Sequence, residues 1–227
     1  MPEDQSVNGD IWNEEAGYLF QKLGWQKIAD SNIDIPGADG MMHGIDSIYS
    51  YKDGFNPIKS QAVFIEAKRY ATTSFSPTKL SDWIGRMDAK IRELKFGTEL
   101  YDRYPLIQEL KIGSSVLAIW FHDYENYPSI RSKFQDALKA VKTPRTRGPN
   151  TVNRLFVIEN DNILRLASLV DAVEKWNNEF KLSESPALEF YYPSSTLSGY
   201  AGQANQVVNL EYIFSRFVFC KIEDYNR

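Results

Sequence analysis

The sequence predicts an α/β fold, a mixed β-sheet flanked by helices, and three observations predict it. A helical apolar stripe spans residues 10–24. Two apolar runs follow, joined through an Asp-Gly turn signal, and read as an antiparallel hairpin. From residue 80 onward, helical and strand patterns alternate, which implies parallel crossovers.

In the first helix, Asp10 or Asn8 supplies a cap and Gly24 a stop. Trp12, Ala16, Leu19, Phe20 and Leu23 recur at helical spacing and form the buried stripe. Glu15 lies between Ile11 and Leu19 in the i, i+4 row, at the border of that stripe, while Glu14 points further round with Tyr18. A carboxylate at the border of a core-facing stripe can reach the end of a neighbouring sheet. A glutamate near a helix start is equally accounted for by the helix dipole.

The hairpin runs from Gly44-Ile45-Asp46-Ser47-Ile48-Tyr49 to Val63-Phe64-Ile65-Glu66-Ala67-Lys68-Arg69. Alternation on a strand places Glu66 and Lys68 on one face with Phe64, and Val63, Ile65 and Ala67 on the other. Asp46 shares a face with Ile48. The connector Tyr51–Pro57 contains Asp53-Gly54, so pairing of the two runs brings Asp46 near Glu66. Residues 62–65 read as a strand buried on both faces, after which two charges appear. Buried charges are expensive, so these must be paired, bind a metal or sit where the strand opens into a cleft. A salt bridge at a strand end explains Glu-x-Lys taken alone; the upstream Asp46 is what adds chemistry.

Further along, Ser74–Pro77 reads as a polar turn and Leu80–Lys95 as a helix with Leu80, Trp83, Ile84, Met87, Ile91 and Leu94 on one stripe. Ser115–Phe121 and Arg154–Glu159 read as strands, and residues 130–141 and 163–180 as helices. Leu188–Tyr192 is strand-like. Residues 193–206 are a small-residue loop, and Val207–Tyr225 holds a short helical pattern and then a strand, Arg216–Lys221. The expected organisation is one domain over residues 1–192, followed by a loop and a helix/strand extension over 193–227.

Two carboxylates and an ammonium on rigid strands are the parts of a phosphodiester-cleaving site that uses one or two magnesium ions. Magnesium prefers oxygen ligands and is typically held by one or two carboxylates plus substrate phosphate. A lysine adds a mobile positive charge that orients a nucleophile or stabilises the phosphate. Adjacent carboxylates repel, so at least one should have a raised pKa in the metal-free site. Asp46, Glu66 and Lys68 fit these roles.

Taken in order, Glu15 on a helix ahead of Leu23-Gly24-Trp25, then Gly44-Ile45-Asp46, then Phe64-Ile65-Glu66-Ala67-Lys68 resembles the PD-(D/E)XK, or restriction-endonuclease-like, nuclease superfamily. The start resembles the branch of Mrr-type restriction enzymes and archaeal Holliday junction resolvases. Ile45 stands where the superfamily's name has a proline. The resemblance implies an αβββαβ core and Mg2+ (or Mn2+) held by Asp46, Glu66 and Ala67. It implies that Lys68 handles the water or the phosphate, and that Glu15 is an accessory carboxylate. It also implies a nucleic-acid substrate, DNA being favoured, and a defence or restriction role; the acidic surface and the need to cut both strands of a duplex favour a homodimer or a complex with a partner subunit.

Composition narrows the alternatives. The 227 residues allow a substantial core, and no apolar run approaches the roughly 20 residues of a membrane span. The start lacks signal-peptide features, and a single cysteine, Cys220, rules out intrachain disulfides, so a cytoplasmic protein is expected. The net charge of −4 argues against strong nucleic-acid binding over the whole surface. Local basic regions can still bind: Arg145 and Arg147 in an exposed loop, and Arg69, Arg86 and Lys90 beyond the Glu-x-Lys strand. His43, three residues before Asp46, reads as a loop histidine or a phosphate contact. Phosphate-binding-loop, serine-elbow and zinc-protease motifs are absent from the sequence. The competing readings are a catalytically inactive nuclease-fold module that binds nucleic acid or scaffolds a complex, and a carboxylate-pair glycosidase, which has no need of Lys68.

Overall fold

The structure, a computed structural model, describes residues 3–29, 31–53, 60–142, 154–179, 188–192, 203–205 and 207–221. The chain opens with α1 (Glu3–Lys22), whose buried Trp12, Ala16 and Phe20 form the expected stripe. α1 stops at Gly24, which takes φ +87°, a conformation open to glycine because it has no Cβ. Four short strands follow: β1 (Gln26–Ala29), β2 (Ile33–Pro36), β3 (Met42–Ile45) and β4 (Ser47–Tyr51). Then come β5 (Gln61–Tyr70), α2 (Pro77–Phe96), α3 (Glu99–Arg103), β6 (Lys111–Phe121), α4 (Tyr127–Ala140), β7 (Arg154–Ile158) and α5 (Asn160–Glu179). β8 (Glu189–Tyr192), β9 (Gln203–Asn205), α6 (Leu210–Phe214) and β10 (Cys220–Lys221) complete the order.

The principal sheet has five strands in the order β1-β4-β5-β6-β7. β1, β4 and β5 pair antiparallel; β5, β6 and β7 pair parallel, through crossovers that contain α2 and α4. Both directions follow the sequence reading. The αβββαβ core is α1–β1–β4–β5–α2–β6. β2 and β3 form a separate two-stranded ribbon inserted between β1 and β4, and β10-β8-β9 is a third, antiparallel sheet.

Two apolar cores flank the principal sheet. Ala62 and Phe64 of β5 meet Leu80, Ile84, Met87 and Ile91 of α2 and Phe134 of α4 on one face. Val63, Ile65 and Ala67 meet Trp12, Ala16 and Phe20 of α1 and Ile163 and Leu166 of α5 on the other. The alternation read from the sequence is therefore the alternation that separates the two cores. Gly17 lets α1 lie close on β4, since a Cβ there would stand 2.6 Å from the Tyr49 hydroxyl. Alanine at 17 would force the buried end of the Tyr49 ring to shift, at about 1–3 kcal/mol.

The second core is closed by the C-terminal part of the chain. Val208, Leu210 and Ile213 are fully buried in it. The Trp25 indole donates to the Val208 carbonyl at 2.8 Å, and the Asn209 amide donates to Asp53 at 2.7 Å. Residues 207–213 are thus part of the packing around Trp25 and Tyr51, whose rings stack at 4.9 Å.

Several elements differ from expectation. The run 44–51 is not one strand: it bends at Asp46, because β3 pairs with β2 whereas β4 pairs with β1 and β5. β1 and β2 were not legible as strands, since four residues are too few to show a period. The expected strand 216–221 shortens to Cys220–Lys221. Residues 54–59 of the expected turn lie outside the described residues; Asp53 is buried and accepts from Gln61 as well as Asn209. Among the described residues, no helix is long and apolar enough to cross a membrane.

Candidate active site

The site forms where β5 loses its antiparallel neighbour. Pairing of β4 with β5 runs from Tyr51↔Gln61 to Ser47↔Ile65 and stops, because the chain turns away at Asp46. On its other edge β5 stays paired with β6 as far as Tyr70↔Phe121. Amides two apart on a strand face the same neighbour, so the Ala67 N–H follows Ile65 toward a partner that is no longer there. A buried amide needs an acceptor. Asp46 supplies it: its Oδ2 accepts from the Ala67 N–H at 2.7 Å. The bend that ends the strand therefore also fixes one carboxylate beside the next residues of β5.

Asn32 holds the bend from behind. It adopts φ +58°, a left-handed conformation tolerated by asparagine, and its N–H donates to the Asp46 carbonyl at 3.1 Å. Its side chain bonds Asp10 at 2.9 Å and accepts from Asn13 at 3.0 Å, which ties the bend to α1. Sequence reasoning missed this role, which depends on a backbone conformation rather than a period.

Glu66 and Lys68 project from β5 on the side of Phe64, as expected. The Lys68 ammonium lies 2.7 Å from Glu66 Oε1. Lys90 of α2 donates to the other oxygen, Oε2. The three side chains are 17–24% exposed, so the cluster is mostly buried yet open to solvent. The sequence reading gives Lys90 only as a nucleic-acid contact; the structure pairs it with Glu66. A signal was present: Trp83, Met87, Lys90 and Leu94 fall on one helical row at spacings of four, three and four. A lysine in an apolar row needs a buried counter-charge.

The two carboxylates differ electrostatically. Burial pushes the Asp46 carboxyl above its usual range, and the neighbouring Glu66 pushes it further; Lys68, the Ala67 amide and Lys90 offset only part of this. Burial also pushes Glu66 upward, but Lys68 and Lys90 together outweigh it and hold its carboxyl below the usual range. Burial lowers the Lys68 ammonium, and Glu66 and Asp46 overcome this, so it stays charged beyond the ordinary lysine range. The expected raised carboxylate is Asp46.

The other candidate residues are less closely gathered. Glu15 lies on α1, which packs on the opposite face of the sheet, and its side chain is exposed. It makes no hydrogen bond or ion pair with Asp46, Glu66 or Lys68 among the described residues: Trp12 and Ala16 take the inward positions of the helix and turn residue 15 outward. Arg69 is half-buried on the face of Ala67, away from Glu66. Arg86 is exposed on α2, one turn before Lys90. Near it, Tyr70 stacks on Trp83 at 4.8 Å, with the Lys79 ammonium 5.5 Å from the Tyr70 ring. Arg145 and Arg147 lie outside the described residues. His43 pairs with Asp39 at 3.0 Å in the β2–β3 ribbon.

The donor set suits a hard divalent cation in part. Among the described residues, no group of three or more Asp, Glu, His or Cys side chains is arranged to hold a metal. Asp46 and Glu66 offer oxygen donors, which fits an ion that takes one or two carboxylates and completes its shell with water and phosphate. Asp46 Oδ1 has no hydrogen-bond partner among the described residues and is available. Glu66 has each oxygen paired with an ammonium; a lone pair remains on each, but the two positive charges repel an arriving cation. Ala67 gives its N–H to Asp46, so a ligand role there falls to its carbonyl oxygen.

Comparison with known families gives a match over residues 1–162 to the family described as GAPS4 protein PD-(D/E)XK nuclease domain. The matched span contains Asp46, Glu66, Lys68 and Lys90; it supports the PD-(D/E)XK superfamily and does not confirm the Mrr-type branch. No curated protein and no solved structure matches the chain.

Proposed function

The chain belongs to the family of GAPS4 protein PD-(D/E)XK nuclease domains, and from that premise we propose that it is a divalent-metal-dependent nuclease that hydrolyses phosphodiester bonds of nucleic acid, DNA being the favoured substrate. The observation that carries this reading is the anchoring of Asp46 on the Ala67 amide, which sets one carboxylate beside Glu66 and Lys68 at the open end of β5. Asp46, Glu66 and the Ala67 carbonyl would hold Mg2+ or Mn2+. When bound, the ion supplies charge relief at the phosphate and acidifies the attacking water.

The chain's own groups do the rest. The Ala67 amide fixes the rotation of the Asp46 carboxylate, so the ligand is in place before the substrate arrives. Lys68, kept charged by Glu66 and Asp46, is placed to orient the attacking water and to stabilise negative charge that builds on the phosphate. Arg86, exposed on α2 one turn from Lys90, is positioned for a neighbouring phosphate. Arg69, Arg145 and Arg147 extend the proposed backbone contacts; Glu15, exposed on α1 over the opposite face, is given no direct part in the resting site. An overall charge of −4 favours a second copy or a partner subunit as the source of further substrate contacts. A role in anti-phage defence fits the family and completes the reading.

The test is cleavage of supercoiled plasmid, linear duplex and RNA, with and without the proteins encoded beside this one. The expected result is cleavage in Mg2+ or Mn2+, none in EDTA, and none by Asp46→Asn; Lys68→Ala should lose about 10²- to 10³-fold. Equal activity of parent and Lys68→Ala would refute the assignment of Lys68. A protein that binds nucleic acid but never cleaves it would support the inactive-module reading instead.

A further inference from the structure

Glu66 carries two ammonium groups where the nuclease motif provides one. Lys68 takes Oε1 at 2.7 Å from the same strand, and Lys90 takes Oε2 from α2. Lys90 lies in the apolar row of α2 and is only 18% exposed, so its charge must be matched wherever it goes. Its field also reaches Asp46. With two acids and two lysines, the cluster is neutral as it stands. A divalent ion that binds Glu66 meets both ammonium groups at close range; like-charge repulsion favours release of one, and the released ammonium then needs a new anion.

Resting on the nuclease reading above, we propose that Lys90 is a second catalytic lysine, held on Glu66 in the metal-free site and free to move to the substrate phosphate when a divalent ion would be bound there. Lys68 is tethered two residues from Glu66 on the same strand face and stays beside it. Lys90 comes from a separate element, and Glu66 is its partner among the described residues. The anion that arrives with the ion is the phosphate, and a flexible four-carbon stem lets the ammonium follow it. Lys90 thus competes with the metal in the resting site and helps it in the reacting one.

That double role predicts opposite signs in two readouts. In Lys90→Gln and in Lys90→Met, which also suits the apolar row, calorimetric titration with Mn2+ alone should show affinity about tenfold tighter than the parent, because one positive charge that competes for Glu66 is gone. The same variants should cleave DNA about 10²-fold more slowly. Lys90→Arg keeps the charge and should restore the weaker metal affinity and much of the rate. A thermal melt confirms that each variant is folded. A lysine that merely stabilises the fold would lower both readouts together. Unchanged or weaker Mn2+ binding by both neutral variants, or cleavage at the parent rate, overturns the proposal while leaving the nuclease intact. A parent that neither binds Mn2+ nor cleaves overturns the nuclease reading and this inference with it.

Discussion

The bend at Asp46 and the end of β5 at Glu66 each present a carboxylate to the same small space, and they are built in opposite ways. Asp46 is held by a backbone amide, keeps one oxygen without a partner among the described residues, and has its pKa raised by burial and by Glu66. Glu66 has both oxygens on lysines, which hold its pKa down against burial. One acid is poised for a cation and destabilised until it has one. The other already has its cations, and an arriving ion must compete with them. Two identical functional groups acquire different tasks from their surroundings alone.

That contrast can be broken most severely at Glu66. Glu66→Gln strands two partly buried ammonium groups and should cost about 2–3 kcal/mol of stability at neutral pH, measured by denaturant unfolding. A group with a depressed folded pKa stabilises above its unfolded value and loses that contribution as pH falls through the folded one. The gap between Glu66→Gln and parent should therefore narrow in acid below the ordinary glutamate range.

Asp46→Asn should move the other way. A raised folded pKa means that ionised Asp46 costs stability at neutral pH, a cost that disappears as pH falls through the raised value toward the ordinary one. The asparagine can still accept the Ala67 N–H. Metal-free Asp46→Asn should then melt above the parent at neutral pH, with the advantage vanishing on acidification. A lower melting temperature at neutral pH would show that the two acids are not opposed.

The surroundings sharpen the picture with smaller effects. Arg86→Ala should weaken DNA binding across sequences and reduce the salt slope by about 0.9, one phosphate's worth. Glu15→Gln, altering an exposed side chain on the far face, should change cleavage less than about tenfold; a loss comparable to Asp46→Asn would mean that α1 approaches the site when substrate binds.

Much of this site was legible in the sequence, and the reasons are local. Strand alternation placed Glu66 and Lys68 together and separated them from Val63, Ile65 and Ala67, because a two-residue period is read directly from the chain. The helix phases of α1 and α2 were equally visible. The Asp46 bend was not, because it depends on which strands pair with β3 and β4. Lys90 was identified as a basic residue near the site, but its partner lies 24 positions earlier, on another element. The links from Trp25 to Val208 and from Asp53 to Asn209 join positions that no periodicity connects. Glu15 shows the converse: its place at the border of a stripe was read correctly, while the face of the sheet on which that stripe packs could not be.

The central claim, that Asp46 and Glu66 jointly hold a divalent cation at the open end of β5, is tested most directly by calorimetric titration of Mn2+ into the parent and into Asp46→Asn without nucleic acid. Saturable binding by the parent that strengthens as pH rises through the Asp46 titration, and no measurable binding by the variant, are expected. Equal affinity in the two proteins would contradict the claim.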